Sequence, residues 1–197
     1  MAPAQSDVVG TAIAREERPP TTAEPPVFPT GPSRVQIREL TSVDNVALDA
    51  VGAALSDHTR FLRFHAPTPH LTASLRALLL DLDGHDRAAL VAEIPSARGL
   101  RPVGIARLAR TGPDRAEAAI VVTDDCQHHG VGQRLLRALA TLAEGLGYRQ
   151  LQGVVLLEND RVVRLLQRVF PGSTVDWDDD VFLVRSPLGI DHIGGGR

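Results

Sequence analysis

Residues 120–136 read IVVTDDCQHHGVGQRLL, and two changes of character within them decide the fold. Ile120, Val121 and Val122 make a short apolar, β-branched run; a polar segment follows; from Gly130 onward the spacing turns helical. The stretch therefore predicts strand, loop and helix, with Gly130 and Gly132 where the helix begins. Glycine lets backbone approach a ligand closely, and the free N–H groups of a helix's first turn attract anions, so a phosphate or pyrophosphate is the natural guest. A G-x-G pair before a helix also serves as a tight turn with no ligand. No Lys-Ser/Thr of a P-loop follows it, and Leu135 stands where a dinucleotide fingerprint has its third glycine, which weighs against ATPase and Rossmann readings.

Downstream, residues 133–146 are strongly helical, with Leu135, Leu136, Leu139, Leu142, Ala143 and Leu146 on one face and Gly147 as a C-terminal cap. Residues 151–157 read as a strand. Asn159 is placed as the N-cap of a helix burying Val162, Val163, Leu166, Val169 and Phe170 and stopped by Pro171-Gly172. Two short strands, 174–177 and 181–185, close a hairpin through residues 178–180. Upstream, 88–94, 103–109 and 116–123 read as three strands joined by turns containing Gly99 and Gly112-Pro113, an antiparallel meander. Before them come a strand at 35–38, a helix introduced by Thr41-x-x-Asp44 as an approximate capping box and carrying Val43, Val46, Ala47, Val51, Ala54 and Leu55, a polar aromatic loop at 56–69, and a helix at 71–80. The order is β-α-α-β-β-β-α-β-α-β-β: an α/β fold with a mixed, mostly antiparallel sheet flanked by helices.

Composition bounds the rest. At 197 residues, with 43% hydrophobic and 23% charged, the chain suits one core, since domains run to roughly 150 residues. Proline recurs through residues 1–33, which read as a flexible leader, and residues 189–197, with their GGG, as a loose tail; the folded domain is expected over 34–188. The net charge of −3 gives no global pull toward nucleic acid or an anionic membrane, so neither partner is expected. Every basic residue is arginine. Cys126 stands alone, which excludes an intrachain disulfide and a Cys-rich zinc cluster. The N-terminal residues lack the apolar core of a secretory signal, and no run approaches the ~18 apolar residues of a spanning helix, so a cytoplasmic protein is expected.

The segment Gln127-His128-His129-Gly130-Val131-Gly132 resembles the Q/R-x-x-G-x-G/A signature of the GNAT N-acetyltransferases, and the element order matches that fold from about residue 35 to 187. LSDHTRFLRF at 55–64, AEAAIVV at 116–122 and VLLEN at 155–159 resemble the protein-lysine acetyltransferase (Pat-type) branch. The resemblance implies acetyl-CoA as cosubstrate. Its pyrophosphate would sit on the backbone amides of His128, His129, Gly130, Val131, Gly132 and Gln133, with Gln127 opening the loop and Arg134 beginning the helix. Its pantetheine arm would pair with Ile120, Val121 and Val122, and Asn159 would lie beside that arm.

Such an enzyme transfers acetyl by direct attack of a neutral amine, the acceptor being a protein lysine in the Pat-type branch or, alternatively, a small amine. At pH 7 a lysine of pKa ~10.4 costs about 4.6 kcal/mol to deprotonate, so a general base is useful. Glu117 matches the glutamate to which Pat-type enzymes assign that role through water; otherwise it is a strand glutamate facing solvent. The tyrosine that many GNATs place near the leaving sulfur is missing: Tyr148 is the sole tyrosine, and the expected region offers Val169 and Phe170. That absence supports a rival reading, a non-catalytic acyl-CoA-binding module.

Cys126 with His128, His129, Asp124 and Asp125 resembles a metal cluster, but these residues crowd one loop already committed to the phosphate turn, and no metal is expected. Arg60 and Arg63, interleaved with Phe61 and Phe64, suit an acidic substrate or nucleic acid, or else an acceptor-site loop or a solvated arginine pair. His58, His65 and His70 have no spacing that marks them as ligands.

Overall fold

In a computed structural model, which describes residues 35–189, the chain lays a seven-stranded sheet in the order β1-β2-β3-β4-β5-β7-β6. The elements are β1 (Gln36–Leu40), α1 (Asn45–Ala53), α2 (Asp57–Phe64), α3 (Ala73–Leu79), β2 (Arg87–Ser96), β3 (Gly99–Arg110), β4 (Arg115–Val122), α4 (Val131–Gly145), β5 (Gln150–Leu156), α5 (Asp160–Val169), β6 (Thr174–Asp178) and β7 (Val181–Pro187). All pairs are antiparallel except β4–β5, so the mixed, mostly antiparallel α/β class expected from the sequence is the one observed. The leader at 1–33 and the tail beyond Gly189 lie outside the described residues.

Two cores cover the two faces. Alternation along β3 and β4 sends Ala106, Leu108, Ala116 and Ala118 to one side, where Leu135, Leu136 and Leu139 of α4 and Leu166, Val169 and Phe170 pack on them. Burying each such leucine contributes about 1.5–3 kcal/mol. Ile105 and Val121 point to the opposite side, beneath α1 and α3, with Leu48, Val51, Leu55 and Leu80.

Three expectations are corrected. The stretch 56–69 is not all loop: residues 57–64 form α2, capped by the Ser56 hydroxyl accepting from Thr59 N at 3.2 Å, with Asp57 in its first turn, Arg63 in its last and His65 ending it at φ 56°. The apolar stripe of α1 is phased differently: Val43 and Val46 are 81% and 84% exposed, while Leu48, absent from the expected stripe, is buried. Finally, the capping box does not form. Asp44 occupies the N-cap position without capping the helix, and its carboxylate accepts instead from Thr41 N (2.8 Å) and Thr41 Oγ1 (2.7 Å) and takes both Arg38 guanidinium nitrogens (3.0 and 3.1 Å).

Candidate active site

The parallel pairing of β4 with β5 covers only Arg115↔Gln150, Ala116↔Leu151 and Glu117↔Gln152. Beyond Glu117 the two strands part, while β4 stays paired to β3 through Val122 and β5 stays paired to β7 through Leu156. The fork leaves one edge of β4, from Ala118 to Val122, without a strand beside it, and opens a cleft of about 390 Å³ through the sheet. Ala118, Ala119 and Ile120 line one side of it, Gly153, Val154 and Val155 the other; Asn159, Val162 and Leu166 come from α5 and its N-cap, and Arg63, Phe64 and His65 from the end of α2. Glu117 stands at the apex of the fork, exposed.

At the far end of β4 the chain makes a 3-10 turn, Asp124–Cys126, and enters α4. His128 and Gly130 both adopt left-handed backbone, at φ 65° and 79°, which turns successive amides toward a common point in the manner of anion-binding nests. Gly130 is the N-cap and has no side chain to offer the amides behind it. Val131, Gly132 and Gln133 occupy the first turn, whose N–H groups have no intrahelical acceptor, and the helix dipole adds partial positive charge there. A Cβ on Gly132 would come 3.2 Å from Leu165 Cδ2 and under 4 Å from Val122 and Ile120, so glycine sets how closely α4 approaches β4 and α5.

The remaining signature residues have defined tasks. Gln127 Nε2 donates to Val122 O (3.2 Å) and reaches Thr59 Oγ1 (3.4 Å), so its side chain braces the loop rather than facing the helix mouth. Arg134's N–H goes to Gly130 O (3.1 Å), the first helical bond, and its guanidinium to Val35 O (3.2 Å). His128 Nε2 meets Arg161 of α5 at 3.4 Å, and His129 is exposed. Asn159 occupies the N-cap position of α5, yet its side chain makes no cap bond and lines the cleft instead. The chemistry of these donors fits a diphosphate at the mouth of α4 with a thin, amide-bearing arm threaded along the unpaired edge of β4.

Sequence reasoning missed the opposite wall. Asp124 accepts from Ser56 N (2.7 Å), Ser56 Oγ (2.9 Å) and Thr59 Oγ1 (2.6 Å), fastening the start of α2 to the end of β4. The Ser56-x-x-Thr59 cap was the local signal for α2. Arg60 and Arg63, three residues apart, then diverge. Arg60 is spent on structure, donating to Gly52 O and Leu55 O at the end of α1 and to Asp57. Arg63 faces the cleft, its guanidinium carbon 5.1 Å from the centre of the Phe64 ring. Burial, reinforced by the charge of Arg107 and opposed by Glu117, lowers its pKa to about 10, so it is still a cation at pH 7. Burial and the Arg63 charge lower His65, which leaves its imidazole neutral at pH 7.

Cys126 is buried, beside the guanidinium of Arg101 at 3.3 Å, and burial raises its pKa, so it carries a thiol and not a thiolate. Tyr148 is also remote from the cleft, its hydroxyl donating to His85 O at 3.2 Å. Among the described residues no three His, Cys, Asp or Glu side chains are arranged to hold a metal, and no helix is long and apolar enough to cross a membrane.

The fork, the uncapped helix mouth and the sheet order now meet one further observation: the model of the acetyltransferase (GNAT) family matches residues 55–170, more than half of the chain. The chain belongs to that family. GNAT enzymes use acetyl-CoA as cosubstrate, and the matched span runs from the start of α2 to the end of α5, enclosing every cleft residue named above. Acetyltransferase PA5475 of Pseudomonas aeruginosa is 34% identical over 101 residues, 51% of this chain and 54% of that protein, so the chain spans about half the length of this curated relative. The crystal structure of the GNAT domain of S. lividans PAT superposes with a TM-score of 0.71 at 27% identity, over 78% of this chain and 90% of that one. A phosphinothricin acetyltransferase of the GNAT superfamily from Sinorhizobium meliloti, solved in complex with AcCoA, shares the fold at a TM-score of 0.62 and 17% identity, over 79% and 89% of the two chains.

Proposed function

We propose that this GNAT protein is an acetyl-CoA-dependent N-acetyltransferase that transfers acetyl directly to a primary amine, a protein lysine in the cytoplasm. The observation that carries the reading is the β4–β5 fork with an exposed carboxylate at its apex and uncapped helix amides at its end. The amides of residues 128–133 hold the pyrophosphate, the edge of β4 at Ile120, Val121 and Val122 pairs with the pantetheine arm, and Asn159 hydrogen-bonds that arm from α5. This leaves the thioester near Glu117, where an acceptor entering past α2 meets it.

Glu117 takes the ammonium proton through water. The neutral nitrogen attacks the thioester carbonyl, forming the C–N bond as the C–S bond breaks, and CoA departs. The cleft holds no tyrosine, and transfer does not need one, because a thiol of pKa ~8.5 leaves tolerably as thiolate or takes a proton from water. A backbone N–H of β4 stabilises the developing oxyanion. The resemblance of residues 55–64, 116–122 and 155–159 to the Pat-type branch supports a protein-lysine acceptor.

A second reading, an acyl-CoA-binding module without turnover, draws on the same missing tyrosine. Thiol release separates the two. Acetyl-CoA plus lysine peptides or small amines should liberate CoA at an acceptor-dependent rate; tight acetyl-CoA binding with no release above hydrolysis would favour the module.

A further inference from the structure

Two guanidiniums line the cleft and the pocket beside it. Arg63 lines both the fork and a smaller, chiefly apolar pocket that continues from it beneath α1 and α3, and Arg107 of β3 lines that second pocket. The strand register fixes their relation to the base. Glu117 pairs with Ala109 and Arg107 with Ala119, so Arg107 and Glu117 lie one diagonal apart on the same face of the sheet, the face covered by α1–α3. The charge of Glu117 acts on both guanidiniums, and those of Asp81 and Asp83 act on Arg107 as well.

Neither guanidinium is satisfied within the fold. Among the described residues no carboxylate comes within ion-pair distance of Arg63 or Arg107, whereas Arg60 one turn earlier has Asp57, and Arg76 and Arg87 nearby have Asp49 and Asp83. Arg107 Nε is buried with no hydrogen-bond partner, and its Nη2 reaches only Leu78 O, at 3.5 Å. Arg63 makes its face contact with Phe64, which leaves the edge N–H groups of the guanidinium for a planar, two-oxygen acceptor. Half-buried cations with no carboxylate in ion-pair contact are costly, and a ligand that brings the anion lowers that cost.

We infer that the acceptor amine carries a carboxylate, and that Arg63, backed by Arg107, recognises it on the α2 side of Glu117. In a protein substrate this is a lysine with an acidic neighbour; in a small acceptor it is an amino acid. The inference rests on the N-acetyltransferase reading and narrows its substrate class. It also explains how the site tolerates two cations near a reacting amine: the added carboxylate, with Glu117, balances their charge.

The test uses matched acceptor pairs with acetyl-CoA and the full chain: a blocked Gly-Asp-Lys-Gly peptide against Gly-Asn-Lys-Gly, and a free amino acid against its amide. Wild type should prefer the carboxylate member of at least one pair by roughly 10- to 100-fold in kcat/KM, and which pair responds tells peptide from small molecule. Arg63→Met should collapse that ratio to within about threefold, and Arg63→Lys should keep part of it. Equal rates within both pairs in wild type, or an Arg63→Met loss of the same size on both members, would overturn the inference while leaving the acetyltransferase reading intact. Should no acceptor turn over, that reading fails instead. Calorimetry of the N-acetylated acid and amide with the CoA complex then decides the present point, preference for the acid upholding it and equal affinity overturning it.

Discussion

Replacing Glu117 by glutamine tests the chemistry with little disturbance of the fold. Glu117 is exposed at the apex of the β4–β5 fork and makes no ion pair or side-chain hydrogen bond among the described residues, and Gln keeps its shape. Stability should therefore fall by no more than about 1 kcal/mol, the part owed to its charge near Arg63 and Arg107. Affinity for acetyl-CoA should hold, because the amides at Val131, Gly132 and Gln133 lie at the far end of β4, beyond Val122. The rate is another matter. With no base, the variant draws on acceptor that is already neutral, roughly 1 part in 2500 at pH 7 for an amine of pKa ~10.4. A positioned base is worth ~10²- to 10⁴-fold, so kcat/KM at pH 7 should fall about 10²- to 10³-fold, or about 3–4 kcal/mol of barrier. Raising the pH to 9.4 multiplies the neutral amine about 230-fold, and the variant should recover most of its deficit there. Thiol release measured from pH 7 to 9.5, with acetyl-CoA binding measured in parallel, reads both effects. A deficit that stays constant with pH, or a parallel loss of acetyl-CoA affinity, would refute the assignment of Glu117 as base.

Gly130→Ala should cost about 1–2 kcal/mol in urea unfolding, since the left-handed φ of 79° disfavours a side chain although the space around it is open; it should also weaken acetyl-CoA binding by re-aiming the amides behind it. Asp44 has its pKa lowered to about 2, chiefly by the Arg38 guanidinium. Its stabilisation is thus complete above the ordinary carboxylate value and disappears as pH falls from ~4 to 2. Because Arg38 is 42% exposed, the effect is about 1 kcal/mol, visible as a Tm loss over that interval that Asp44→Asn lacks. Cys126 should resist a disulfide reagent in the native state and react once in 6–8 M urea; rapid stoichiometric labelling of folded protein would contradict its burial.

How far the sequence could be read depended on where each element draws its stability. The α4 stripe of Leu135, Leu136 and Leu139 repeats at helical spacing, the Gly130/Gly132 pair marks the start of that helix, and both are visible without tertiary information. The β6–β7 hairpin was equally legible because its turn is local. By contrast α2 is a polar helix whose N-terminus is held by Asp124, 68 residues from Ser56 and 65 from Thr59, and no local window contains that contact. Its consequence, that Arg63 rather than Arg60 enters the cleft and His65 with it, was invisible for the same reason. The α1 stripe was misphased because Val46 and Leu48 are both apolar and only the docking of α1 on β3 chooses between them. The fork itself depends on where β5 stops following β4, a tertiary event to which neither strand's composition points.

The diphosphate site at the mouth of α4 is tested most directly by a crystal structure of the protein with acetyl-CoA bound. The diphosphate oxygens should lie about 2.7–3.2 Å from the amide nitrogens of Val131, Gly132 and Gln133, with the pantetheine arm along residues 118–122. A diphosphate bound elsewhere, with those amides facing water, would contradict it.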